Sequence, residues 1–407
     1  MKGKWMKNLL KKNHNFRNFW IASSISTIGD FVDDIAFAQL VYIVTKSTLI
    51  TSYVFAIKII FSFLSVFTSA FVDRYSKKKI LLMSSLLQGI ILLVLLALYY
   101  CNLVNAASLI ILVTVQSLFS SFVTPARNAI ISVLVTKEEI MTARVSINII
   151  QQIIQILSYA VSGVLIALLG IPSAIFLDAI TFFLSVLFLS GVEADSSQGF
   201  RSGKEVLADM KSGFGFVLKN RTIFMVIVVT FLGNAAMTPV DALMPAYFSQ
   251  NHFMDSSYAV FMACSSLGSI CSGLLLPKIS NTAKSNILMM AGFFLGAAGL
   301  AGLHCDNVAL PFLAGIFIGI SVGLVSVLNA TIIQMEAPKD MQARAFSFFS
   351  FMTYISGPVG VVASGAIGET VSLKNVFLFL TIPLIAAAGI SVGIPSPCEV
   401  CAEKDNG

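Results

Sequence analysis

Three acids, Asp30, Asp33 and Asp34, fall inside the stretch GDFVDDIAF (29–37), within a run from Phe16 to Val44 that is otherwise mostly apolar. A charged side chain near the centre of a bilayer costs roughly 2.5–3.5 kcal/mol on insertion scales, so such a load belongs on a surface facing protein or water. The spacing agrees. Ser23, Ser26, Thr27, Asp30, Asp33 and Asp34 recur at three- and four-residue intervals and share one helix face, with the opposite side apolar. A base, Lys58, lies inside the next apolar run. Asp34 is about eleven residues from the outer end of the first helix and Lys58 about ten from the outer end of the second. Adjacent antiparallel helices place them level, and an ion pair is expected. At least one acid is then left to titrate. Carboxylates crowded in low dielectric repel one another and favour a bound proton, the property a proton-coupling group needs. Asp30 and Asp34 are both candidates for it. The plainer reading is that Asp30 caps or hydrogen-bonds a neighbouring helix and Asp33 lies near a wet outer mouth.

Asp241, set between Pro239 and Pro245, is a candidate for the same cavity, as is Asn234. Asp178, read as opening the sixth helix near the outer surface, is expected to be a cap or helix contact. Asp73 and Arg74, followed by a lysine run at 77–79, end the second helix. No Walker A sequence, metal-ligand set or nucleophile constellation is present, which argues against an ATP-driven pump and against an enzyme. The CEVC pair at 398–401 lacks the second pair or histidine of a zinc site.

These residues need elements long enough to hold them in a membrane. The chain of 407 residues is 57% hydrophobic and only 11% charged, with a mean hydropathy of +0.89. Soluble domains carry roughly 25% charged residues. An all-α polytopic membrane protein follows. Spans of about 20 apolar residues are expected near 17–45, 48–72, 80–101, 106–126, 146–169, 172–190, 223–248, 257–277, 286–303, 308–330, 345–367 and 375–394. The first apolar run is too long for a signal-peptide core and is read as a retained helix. With both termini inside, all but three of the 26 Lys and Arg residues fall in cytoplasmic segments. Lys46 and Lys374 lie outside and Lys58 lies within a span, so the positive-inside rule sets the topology. The net charge of +6 does not call for nucleic acid, because the bases sit in loops between apolar runs.

The longest polar segment divides the chain into a six-helix half (1–190), a cytoplasmic linker (191–222), a second six-helix half (223–394) and a cytoplasmic tail (395–407). The halves resemble each other. NAIISVLVTKEEIMTARVS (128–146) reads against NATIIQMEAPKDMQARAFS (329–347), and IGDF (28–31) against LGNA (232–235), which makes Asn234 the repeat partner of Asp30. Parallel repeats of this kind are a transporter arrangement with the substrate site between them.

The chain resembles the major facilitator superfamily over essentially its whole length. SAFVDRYSKKKIL (69–81) looks like the signature loop after helix 2, with serine at positions 69 and 76 where glycine is usual. TPARNAIISVLVTKEEI (124–140) and FLDAITFFLSVLF (176–188) look like the macrolide-efflux-type branch of bacterial exporters. The resemblance implies twelve helices, alternating access and a gate in which Asp73 and Arg74 hold one state, with Arg127 and Arg144 as partners. The usual helix 4 arginine is replaced at its best-aligned position by Gln116, and the helix 5 Gly-Pro by Ser158-Tyr159. The expectation is a secondary transporter of the plasma membrane that needs no cofactor and draws on the proton gradient. It would work as a monomer in the lipid bilayer, exchanging protons for a small lipophilic substrate. Its site would comprise Asp30, Asp33, Asp34, Lys58, Asn234 and Asp241. Export of one endogenous peptide, siderophore or metal is the alternative, and a non-transporting sensor on the same fold is the rival of another class.

Overall fold

A computed structural model describes residues 10–136, 139–193, 215, 217, 220–254, 256–279, 285–305, 307–338 and 341–394. The expected linker at 191–222 lies mostly outside this set. The tail at 395–407, with its CEVC pair, lies wholly outside it. The helices are α1 (His14–Thr45), α2 (Thr48–Arg74), α3 (Lys77–Tyr100), α4 (Ala106–Leu134), α5 (Ile140–Leu169), α6 (Ile171–Ser190), α7 (Arg221–Gln250), α8 (Ser257–Ile279), α9 (Ser285–Gly302), α10 (Leu310–Glu336), α11 (Gln342–Gly368), α12 (Leu373–Phe379) and α13 (Thr381–Ser391). Pro383 has no N–H and crowds the carbonyl of Phe379, which breaks the last apolar segment into α12 and α13.

Ten segments among the described residues are long and apolar enough to cross a membrane. The other two of the expected twelve are α1 and α5. Three aspartates interrupt α1, and the apolar part of α5 begins only at Ile153. Every backbone polar group in lipid must be satisfied within its own segment, which is why the chain is helical through each span. Side-chain caps serve the ends: Asn13 Oδ1 accepts from Phe16 N at 2.9 Å, Asn220 Oδ1 accepts from Ile223 N at 3.0 Å, and Asn105 with Ser108 forms a capping box on α4. Gly170, at φ 78° and ψ 172°, turns α5 into α6 in a single residue, a conformation essentially closed to side chains with a Cβ.

Several helices outrun their apolar stretches. The fourth was expected to end near 126 and continues to Leu134, carrying Pro125 and Arg127 inside it. The fifth begins at Ile140 rather than 146, and the tenth runs to Glu336 rather than 330. Hydropathy marks where lipid ends, whereas backbone hydrogen bonding continues through polar residues until a cap or turn stops it.

Among the described residues the chain forms two compact units. The first is drawn from Met1–Lys46, Ile57–Gly203 and Phe253–Ala259, the second from Ser47–Ala56, Lys204–His252 and Val260–Gly407. In the first, α1 packs on α4, α5 and α6, while α3 packs on α4 and α6. A cluster including Phe16, Phe19, Leu81, Ile130, Leu134 and Leu189 closes one end. There Asn15 exchanges hydrogen bonds with the backbone of Glu193, and Lys78 Nζ donates to Ser190 O at 2.9 Å. In the second unit α7 packs on α11 and α13, and α9 on α10 and α13. Buried Asn329 donates to Thr230 Oγ1 at 2.9 Å. The α8–α10 crossing is set by Gly315, Gly319 and Gly323, one turn apart, which lie against the backbone of Phe261, Ser265 and Ser269. Small residues let membrane helices approach this closely without a hydrophobic drive between them.

A further contact in the second unit carries a prediction. Glu369, just past α11, accepts from Leu49 N at 3.0 Å and from Ser47 Oγ at 2.6 Å, capping the free N–H groups at the start of α2. The backbone N–H of Leu49 and then the Ser47 hydroxyl hold this carboxyl below the ordinary glutamate range. A lowered folded value means stabilisation that is present above pH 4.5 and lost as pH falls below it. Glu369→Gln is therefore expected to melt below wild type at neutral pH, with the gap closing in acid. A gap that stays constant with pH would assign the loss to packing instead.

Candidate functional site

The site in the first unit is built on the middle of α1. Successive helical residues are about 100° apart, so Asp30 and Asp34 point nearly the same way while Asp33 is turned aside. The three acids therefore do not share one environment, as the spacing had suggested. Asp33 is buried at 3% exposure, Asp30 is half-buried and Asp34 is exposed. The difference lies in the packing: the α5 and α6 side of α1 closes over Asp33 and leaves Asp34 open.

Two bases answer them. Lys58 Nζ on α2 donates to Asp34 Oδ1 at 3.0 Å, lies 3.9 Å from Asp33 Oδ2, and stands 5.0 Å over the Phe37 ring one turn along α1. Arg127 Nη2 on α4 donates to Ser26 Oγ at 3.0 Å and lies 4.0 Å from Asp30 Oδ2. Arg127 is a correction. It was expected in the loop after the fourth helix as a gate residue, and it lies two turns inside α4, paired with an acid of α1. The fourth helix thus does hold an arginine, eleven residues beyond Gln116, which is itself buried. The TPARN segment carried the signal, but its apparent position at a helix end concealed it.

Asp178 is the residue that sequence reasoning underrated. It does not cap α6; it sits in the second turn, 1% exposed, with Oδ1 accepting from Thr181 Oγ1 at 3.1 Å. A Cβ on Gly29 would overlap Asp178 Oδ1 and Thr181 Oγ1, so glycine at that point of α1 makes the room. Nearby, Phe31 meets Tyr159 of α5 edge to face at 5.5 Å.

The remaining expected residues lie elsewhere. Asn234 and Asp241 are on α7 in the second unit, half-buried and exposed respectively. Arg144 is exposed near the start of α5. Asp73 and Arg74 end α2, and their side chains lie outside the described set. No group of three or more metal-binding side chains occurs among the described residues. What the first unit assembles is three carboxylates on α1 facing two bases, with a fourth carboxylate behind them. The acid excess gives the assembly room for a proton or a cationic group.

Comparison with known proteins agrees with this architecture. The chain is 23% identical over 316 residues to Macrolide efflux protein A of Streptococcus pyogenes, covering 75% of this chain and 77% of that one. It is 25% identical to the uncharacterized MFS-type transporter YfiS of Bacillus subtilis over 91% of each chain. The fold matches the crystal structure of the nucleoside transporter NupG with a TM-score of 0.78 at 15% identity, over 93% of this chain and 98% of that one. Residues 19–361 match the sequence profile of the Major Facilitator Superfamily, which with these helices and their intramembrane charges makes the chain a multi-pass membrane transporter of that superfamily.

Proposed function

We propose that the protein is a proton-coupled exporter of a lipophilic, cationic or neutral compound, working by alternating access. It would act as a monomer in the plasma membrane with both termini in the cytoplasm. The observation that carries this reading is the acid-rich cluster of Asp30, Asp33 and Asp34 against Lys58 and Arg127, held within the spanning part of the first unit. Charges in such a place are expensive and mark ion or substrate pathways. The efflux proteins among its relatives support the outward direction. Entry of one proton at 100 mV supplies about 2.3 kcal/mol, enough for roughly a fifty-fold gradient of neutral substrate, since 1.4 kcal/mol is tenfold. Asn234 and Asp241 are the proposed contributions of α7, and Asp73, Arg74 and Arg144 the proposed gate.

The test is proton flux into proteoliposomes driven by erythromycin or by tetraphenylphosphonium, for wild type, Asp30→Asn and Asp34→Asn. Flux in wild type that is lost in one of the two variants is the expected result. Coupling that survives unchanged in both would remove these acids from the mechanism. Wild-type protein that moves protons with neither compound would remove the efflux reading.

A further inference from the structure

We propose that Asp178 of α6 and Asp33 of α1 form a buried two-carboxylate site that takes up and releases the coupling proton, behind the ion pairs on the open side of α1. This rests on the proton-coupled reading above and adds a carboxylate of α6 to the α1 cluster as the group that carries the proton.

Both side chains are more than nine-tenths buried, and each leaves one carboxylate oxygen, Asp178 Oδ2 and Asp33 Oδ1, without a hydrogen-bond partner. Asp33 has Lys58 at 3.9 Å; Asp178 has no ion pair among the described residues, and its bonded oxygen takes the Thr181 hydroxyl, which also donates to Asp178 O at 2.8 Å. The two acids share the α1–α6 seam. Gly29 lies against the Asp178 carboxyl, Asp33 is one turn further along the same side of α1, and the two carboxyls interact electrostatically.

Among the described residues Lys58 is the one base within ion-pair reach of either acid, and Arg127 of α4 is held by Asp30. On α1 the neighbours are Asp30 and Asp34, and on α2 Lys58 already serves Asp34. The buried polar groups of α3 are Lys77, Ser84, Ser85 and Gln88, and Lys77, like its neighbours at 78 and 79, lies at the far end of α6, where Lys78 meets Ser190. The middle of α5 contributes Gln155 and Tyr159, and its one charged residue, Arg144, is near its start. A carboxylate removed from water with a single shared donor is costly unless it is paired or carries a hydrogen. A proton is the ligand of smallest size that satisfies an orphaned oxygen, and no room beside Gly29 is needed for more.

The first measurement needs no transport substrate. Infrared spectra of the full-length protein in liposomes are expected to show the C=O stretch of a protonated carboxyl that fades as pH is raised. Asp178→Asn should abolish this band, and Thr181→Val, which only removes a hydrogen bond to the same group, should move it to higher wavenumber. Absence of the band in wild type, or its persistence in Asp178→Asn, overturns the proposal. Erythromycin is the probe for the second measurement. Asp178→Asn should keep erythromycin exchange without a proton gradient while an imposed proton gradient no longer accumulates it, the driven gradient falling to unity. Equal losses of exchange and driven transport, with an unmoved pH profile, would mean a structural residue and overturn it too. If wild type moves no erythromycin or tetraphenylphosphonium, the export reading fails by itself, while the infrared band still decides whether Asp178 binds a proton. Asp33→Asn, with its undisturbed α6, guards against misfolding and should shift the same band.

Discussion

Lys58→Met is expected to lower stability by about 3 kcal/mol, the lower end of the range for removing one partner of a buried ion pair. The lower end applies because the Lys58 side chain is 26% exposed, while the Asp33 side chain beside it is 4% exposed. Methionine keeps the packing of the stem and removes the charge, so the cost falls on the acids left behind. Asp34 is 55% exposed and water can serve it; Asp33 cannot be served in this way. The loss of the ammonium over the Phe37 ring adds about 0.5–1 kcal/mol, as for an exposed cation–π contact. Denaturation of the purified protein in detergent measures the sum. Adding Asp33→Asn to Lys58→Met should restore more stability than adding Asp34→Asn. The opposite order would show that the short, exposed pair carries the energy and that the longer contact to Asp33 is incidental.

Arg127→Ala is expected to abolish driven transport, taking the gradient of a neutral substrate from roughly fifty-fold to unity. Among the described residues Arg127 is the one base paired with Asp30, and its guanidinium also holds Ser26 on the preceding turn of α1. Removing it frees Asp30 and also takes away the polar link from α4 to Ser26 of α1. Arg127→Lys should recover part of the activity, because an ammonium carries the charge but not the length and planar shape of the guanidinium, whose Nη2 meets both Ser26 and Asp30. The exchange Asp30→Arg with Arg127→Asp separates this pairing from a gate role. Recovery of transport in the double variant supports the α1–α4 pair. If the swap is as inactive as either single change while Asp73 substitutions mimic Arg127→Ala, Arg127 belongs to the gate.

Much of this was legible in the residues alone. Lipid leaves a chain few choices, since every backbone group must bond within its own helix, so long apolar runs announced their helices. Charges stand out against such runs, and Asp30, Asp33, Asp34 and Lys58 were visible for that reason. The Asp34–Lys58 contact followed from depth, because residues equally far from a shared membrane surface meet on adjacent helices.

The tertiary structure decided what depth and period cannot. Hydropathy has no term for the direction in which a polar helix extension continues, so Arg127 looked like a loop residue until α4 was seen to run on to Leu134. A repeat of three and four places Asp33 and Asp34 on one broad face, and only the neighbours of α1 determine that one is sealed in while the other stays open. Asp178 is the plainest instance. Its sequence position suggested a helix end, yet a missing side chain at Gly29 on another helix brings its carboxyl into the interior. The sequence by itself determined that the chain is a set of long apolar helices and which charges interrupt them. Which base meets which acid, and which acid is left without one, depends on the rotation and approach of helices distant in the chain, and that is settled only when their side chains pack.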